Sequence, residues 1–171
     1  ERDSAHKSEQ AALDEALTTS NADQLRAYLK DCQLCTGRDD ATQALADITQ
    51  RFEAAGPCLA LAGLPQQGGQ RKLALISIKK GRLVCGKALA TYPGDPLLTV
   101  MMGRIEHAAG NFDAANAAYQ VGIRAGLPSA YGLAAYLLQN PPAGVAQDSA
   151  SADRLARKGA AKGDWLAREM Q

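Results

Sequence analysis

Cys32-Gln-Leu-Cys35 is the arrangement in this sequence with the most chemistry in it. Two thiols three positions apart suit a redox dithiol, half of a zinc site, or a short structural disulfide. A redox motif is expected to have a helix N-terminus just after its first cysteine, where the dipole lowers the thiolate pKa. Here the motif follows the end of a helical pattern, where the dipole has the opposite sign, and no βαβ context surrounds it. Zinc needs two further ligands. Only His6, His107, Cys58 and Cys85 are available, and no second pair has ligand spacing. A structural disulfide, or two buried thiols, is therefore the expected state. A Cys32–Cys35 bridge closes a tiny loop and stabilises little.

Cys58 and Cys85 lie 27 positions apart. A bridge between them is worth about 3–4 kcal/mol by loop entropy, a large share of a stability of about 5–15 kcal/mol. Two unpaired core cysteines are the alternative. No Ser, Cys or Asp stands near His6 or His107 as part of a nucleophile–base pair. Gln67-Gly-Gly-Gln70 lacks the Lys and Ser/Thr of a phosphate loop. The carboxylates are scattered over polar faces. No catalytic residue, metal or cofactor is expected, and the chain reads as no enzyme.

Arg71, Lys72, Lys79, Lys80, Arg82 and Lys87 form a basic run with no acid between Glu53 and Asp95. It reads as a solvated helix face, or as a patch for an acidic partner. Apart from Tyr92 at its end, no aromatic interleaves it, so nucleic-acid stacking is unsupported. The whole chain has 19 basic and 18 acidic residues, for a net charge of +1, which gives no general attraction to nucleic acid or anionic lipid. No stretch approaches the ~18 apolar residues of a membrane helix. No signal peptide is visible behind Glu1-Arg2-Asp3. The chain reads as a mature or trimmed form, which leaves export open.

The elements that must hold these residues are helical. Aromatics are only 5% of the 171 residues, so Ala and Leu must build the core, and Ala favours helix over strand. Residues 4–17 carry a stripe of Ala12, Leu13, Ala16 and Leu17, ended by Thr18-Thr19-Ser20. Asn21 caps a second helix bearing Leu25, Tyr28 and Leu29. Asp40 caps a third with Leu45, Ile48 and Phe52 on one face, stopped by Gly56-Pro57. Leu73 to Ile78 has strand propensity but no partner strand, so it reads as the approach to a helix capped by Ser77. Asp95-Pro96 starts a further helix, and Asn111 caps one that ends near Arg124 before Gly126. Residues 128–139 form another, and Asp148 or Ser149 caps one running to about Lys162. A final short helix holds Trp165 and Leu166. The sections expected are a helical 1–55, a linker over 56–76 and repeats over 77–171.

A shift of 37 residues lays Ala115 on Ala152, Gly122 on Gly159, Gly126 on Gly163 and Ala130 on Ala167. Chance matching in an Ala-rich chain is the weaker explanation, because the four pairs share register and turn signals. Gly144-Val-Ala-Gln-Asp148, Ala152, Arg157-Lys158 and Gly163 resemble the second half of a Sel1-like repeat, and Ala130 to Tyr136 its first half. Ala134, Leu155 and Ala156 depart from that pattern. The preceding unit resembles a tetratricopeptide repeat through Ala88, Pro93, Gly103, Ala115 and Tyr119, with Glu106 where an aromatic is usual. From Cys58 onward the chain is similar to exported proteobacterial Sel1-type proteins, which carry two cysteine-containing helices before the first repeat. Residues 12–50 resemble short helical pairs found beside caspase-like domains.

This resemblance implies an all-α fold, an α-solenoid of antiparallel helix pairs in a right-handed superhelix. It implies a protein or peptide partner on the concave face, at Leu97, Val100, Met101, Arg104 and His107, then Tyr131, Ala135 and Gln139. Arg104 would meet a carboxylate there, although Val100 and Met101 equally suit core packing. The function implied is a protein-binding scaffold in the bacterial cell envelope. The alternatives are a thiol redox protein built on Cys32 and Cys35, or a regulatory domain of a longer enzyme. Neither the partner nor the oligomeric state is legible.

Overall fold

The computed structural model describes residues 2–19, 22–63 and 72–170. Asn21, Arg71 and the Gly- and Pro-rich stretch over 64–71 lie outside them. The described residues are all-helical, with nine α-helices, one 3-10 turn and no strand. The helices are α1 (Arg2–Thr19), α2 (Ala22–Asp31), α3 (Arg38–Ala62), α4 (Ile78–Thr91), α5 (Pro96–Ala108), α6 (Phe112–Arg124), α7 (Pro128–Gln139), α8 (Ser149–Ala161) and α9 (Trp165–Glu169). Contacts divide the chain into two compact units, Glu1–Ala54 and Ala55–Gln171.

In the first unit, Leu13 and Ala16 of α1 and Leu25 and Tyr28 of α2 close on Ala41 of α3. Leu45 and Ile48 pack beside them, but Phe52 is 59% exposed and does not extend that face. Asp40 lies inside the first turn rather than at the cap, because α3 already begins at Arg38 after Gly37 turns the chain at φ +86°.

Gly56-Pro57 does not stop α3, and residues 56–62 of the expected linker are helical. The helix runs to Ala62 with Pro57 inside it. Proline removes one backbone donor there. Burial outweighs that cost: Ala55, Cys58 and Ala62 all sit in the core of the second unit. Leu73–Leu75 is a 3-10 turn, and α4 follows with Ser77 at its N-cap position.

The second unit has one main core, built from Leu98, Val100, Met101 and Ile105 of α5, Tyr119 of α6, and Leu133, Ala134 and Leu137 of α7. Each helix from α4 to α8 packs on its successor in the chain. Several starts follow the sequence signals. Asp95 accepts from the backbone N–H of Leu97 (2.8 Å) and Leu98 (3.1 Å). Asp148 accepts from Ser151 N (2.9 Å), and Asp164 from Leu166 N (3.0 Å). Asn111 stands at its N-cap but donates to Glu106 instead (2.6 Å).

The stretch α6–α7 and the stretch α8–α9 begin 37 positions apart, helix for helix. Their joints match in detail. Leu127 N donates to the Gly122 carbonyl at 2.9 Å, and Asp164 N to the Gly159 carbonyl at 2.9 Å. Gly126 and Gly163 take φ of +76° and +88°, the left-handed step that closes a helix end. A Cβ on Gly122 would stand 2.7 Å from that of Ala130, and one on Gly159 would stand 2.7 Å from that of Ala167. The small residues thus mark the points where successive helices touch backbone to side chain.

Candidate functional site

Of the residues expected on a partner-binding face, α5 contributes Leu97, Val100, Met101, Arg104 and His107, and α7 contributes Tyr131, Ala135 and Gln139. Val100, Met101 and Ala135 have no exposure at all. Their apolar side chains are consumed by packing between neighbouring helices, so they are corrected to core. Arg104 is also corrected. Its guanidinium is buried and donates to the carbonyl of Ala62, the last residue of α3. Desolvation pushes its pKa down. It braces the end of α3 rather than waiting for a carboxylate ligand. Tyr131 is 8% exposed. Its ring lies under Lys162 Nζ, 5.9 Å from the centroid. Leu97, His107 and Gln139 remain half-buried.

His107 is where chemistry and access meet. Its Nδ1 shares a 3.2 Å hydrogen bond with the Tyr119 hydroxyl. Its ring lies 6.1 Å from that of Tyr119 and 5.9 Å from that of Tyr136. Burial pushes the His107 pKa down to about 4, with the Arg104 charge adding to the effect. Burial likewise raises Tyr119 far above the ordinary phenol range. At neutral pH the pair is therefore an uncharged imidazole and an uncharged phenol. They can donate and accept hydrogen bonds, and the described residues that line the pocket beside them include no carboxylate or thiol.

A pocket of about 270 Å³ opens beside this pair. Leu73, Phe112, Leu137 and Pro142 supply its apolar wall, and His107, Tyr136 and Asn140 its polar groups. It falls below the roughly 300–1,000 Å³ of small-molecule sites, and suits one inserted side chain. Sequence reasoning found only His107 among these. Phe112 follows the Asn111 cap, and Asn140 and Pro142 follow the helix over 128–139, but neither position marks a pocket wall in the sequence. Tyr136, 39% exposed, was read only as part of a repeat motif. No family model matches the chain, and neither a curated protein nor a solved structure gives a significant match.

The cysteines form two pairs at disulfide distance. Cys32 and Cys35 have Sγ atoms 2.08 Å apart, and Cys58 and Cys85 2.06 Å. Among the described residues no cluster of three or more His, Cys, Asp or Glu could hold a metal ion. Of the basic run, Lys72, Lys79, Lys80, Arg82 and Lys87 are exposed. Arg82 is engaged by Glu106 through two bonds of 2.8 and 2.7 Å. That pairing, chiefly through its hydrogen bonds, raises the arginine pKa and lowers the glutamate's.

Proposed function

We propose that this chain is a non-enzymatic helical-repeat scaffold of the Sel1/tetratricopeptide type, working in the bacterial cell envelope and binding a protein or peptide. The observation that carries the reading is the 37-residue correspondence of helix starts, joint hydrogen bonds and glycine contacts between α6–α7 and α8–α9. Units that bury their apolar faces only by stacking on neighbours build α-solenoids, whose extended surfaces serve recognition. Two cysteine pairs at disulfide distance suit an oxidising, exported compartment. No helix among the described residues is long and apolar enough to cross a membrane.

The pocket beside His107 is the anchor point of this reading. Aromatic walls with a few polar groups suit one apolar or aromatic side chain of an extended peptide. The test places a photo-crosslinking amino acid at Gln139 and exposes the full chain to an envelope extract, with and without Tyr136→Ala. A saturable adduct that Tyr136→Ala weakens at least tenfold supports the pocket as the anchor. Equal capture by both proteins, or none by either, overturns it.

A further inference from the structure

The Cys32–Cys35 pair carries an inference independent of the scaffold reading. Both cysteines are half-buried. An open groove of about 350 Å³ between α1 and α2 ends on Cys32, and Cys35 does not line it. The Arg38 guanidinium lies 3.3 Å from Cys35 Sγ and 3.8 Å from Cys32 Sγ. The Glu9 carboxylate clamps the loop by accepting from the backbone N–H of Gln33 (2.6 Å), Leu34 (3.2 Å) and Cys35 (3.3 Å). Cys35 itself is held at φ +51°. That left-handed conformation is rare for a residue with a side chain.

We propose that Cys32–Cys35 is a thiol–disulfide exchange site for a dithiol polypeptide with basic residues beside its cysteines. Two observations give the exchange one direction. Cys32, and not Cys35, is among the residues that line the groove, so a thiolate held there meets Cys32 first, and Arg38 stands nearer Cys35, where the leaving thiolate forms. A lower leaving-group pKa speeds the step.

The partner's first thiolate bonds to Cys32 Sγ. The Cys32–Cys35 bond breaks, and its electron pair leaves on Cys35 beside Arg38. The partner's second thiolate then attacks its own sulfur in the mixed disulfide and expels Cys32. The partner dithiol loses two electrons and closes a disulfide, the Cys32–Cys35 pair gains them, and the two protons from the partner end on the two cysteines. One equivalent is exchanged per chain. The basic flank follows from the groove, whose charged lining residues are Glu9, Glu15 and Asp31, with no Lys or Arg among the described residues that line it.

The experiment uses the oxidised full chain and two short dithiol peptides, one flanked by lysines and one by glutamates. Monothiol forms, with the second cysteine replaced by serine, hold the first-step product. Samples are quenched in acid, blocked with a maleimide and mapped by mass. The lysine peptide is expected to open Cys32–Cys35 about tenfold faster than the glutamate peptide. The mixed disulfide is expected on Cys32, with Cys58–Cys85 intact. Arg38→Ala is expected to slow opening by about tenfold. The proposal falls if the mixed disulfide forms on Cys35, if the two peptides react equally, or if Cys32–Cys35 opens only together with Cys58–Cys85. An unchanged rate in Arg38→Ala overturns it as well.

Discussion

Cys58 and Cys85 have no exposure and sit inside the main core of the second unit, tying α3 to α4 across 27 positions. Cys32 and Cys35 are only half-buried, span 3 positions, and sit on a loop held by a carboxylate and a guanidinium. Among the described residues, the first unit's core cluster has five buried members, whereas the second unit packs fourteen around its cysteine pair in a single cluster. Where burial is dense, a cross-link adds to a structure that already excludes solvent. Where it is sparse, the same bond stays within reach of solvent and of a partner.

The sharpest way to test that contrast is to remove each pair. Replacing Cys58 and Cys85 together by Ala is expected to cost the second unit about 3–4 kcal/mol. The matching replacement of Cys32 and Cys35 should cost no more than about 2 kcal/mol, because the closed loop is so short. Urea unfolding followed by a probe in each unit reads both. Equal losses would erase the distinction between the pairs.

A smaller effect is expected at Asp164, which is 1% exposed. Besides capping α9, its carboxylate accepts from Gly132 N at 2.7 Å in α7. Asp164→Ala should destabilise the second unit by about 1–3 kcal/mol. Amide exchange is expected to rise first at Gly132 and Leu166. Gly159→Ala is predicted to fall in the same range, about 1–3 kcal/mol. Its new Cβ meets those of Ala167 and Tyr131 at 2.7 and 2.8 Å, and neither can swing aside.

Acid should separate the two units by smaller steps. His107 has a folded pKa of about 4 against an ordinary 6.5, so between those values the unfolded chain binds more protons. The stability of the second unit therefore declines as pH falls from 6.5 towards 4, and His107→Gln should flatten that slope in urea midpoints measured across the range. In the first unit, hydrogen bonds from the loop backbone, led by Gln33, hold the Glu9 carboxyl below its usual 4.5. Its contribution is present above 4.5 and is lost as pH falls through its lowered value. Glu9→Gln is expected to lower the protection of the Gln33 and Leu34 amides against exchange and to make that protection, relative to the intrinsic rate, independent of pH there. A first unit that loosens already between pH 6 and about 5 would contradict this assignment.

Much of the second unit was legible because its signals are local. Asp95-Pro96, Gly126, Asp148 and Gly163 set helix ends through one side-chain cap or one left-handed residue, and the structure keeps them there. Pro57 misled because its local effect is real but smaller than the burial of Cys58 and Ala62 that surrounds it. The stripe of Val100, Met101 and Arg104 misled for a related reason. On one helix, positions that face a neighbour and positions that face a groove have the same spacing, and only the third helix decides between them. Asp164 stands just before α9, where a cap is expected, but its bond to Gly132 lies 32 positions away and leaves no sequence pattern. Likewise Tyr136, Phe112 and Pro142 come together only once α5, α6 and α7 have packed.

The matched joints at Gly122–Ala130 and Gly159–Ala167 have a consequence for engineering. Each joint carries its own left-handed glycine, its own backbone bond and its own alanine-sized socket, and each also rests on the helix before it, through Val100 at the first and through Tyr131 and Gly132 at the second. Length is then an adjustable quantity: a further copy of residues 127–163, spliced in after Gly163, would arrive with the fittings that its neighbour needs.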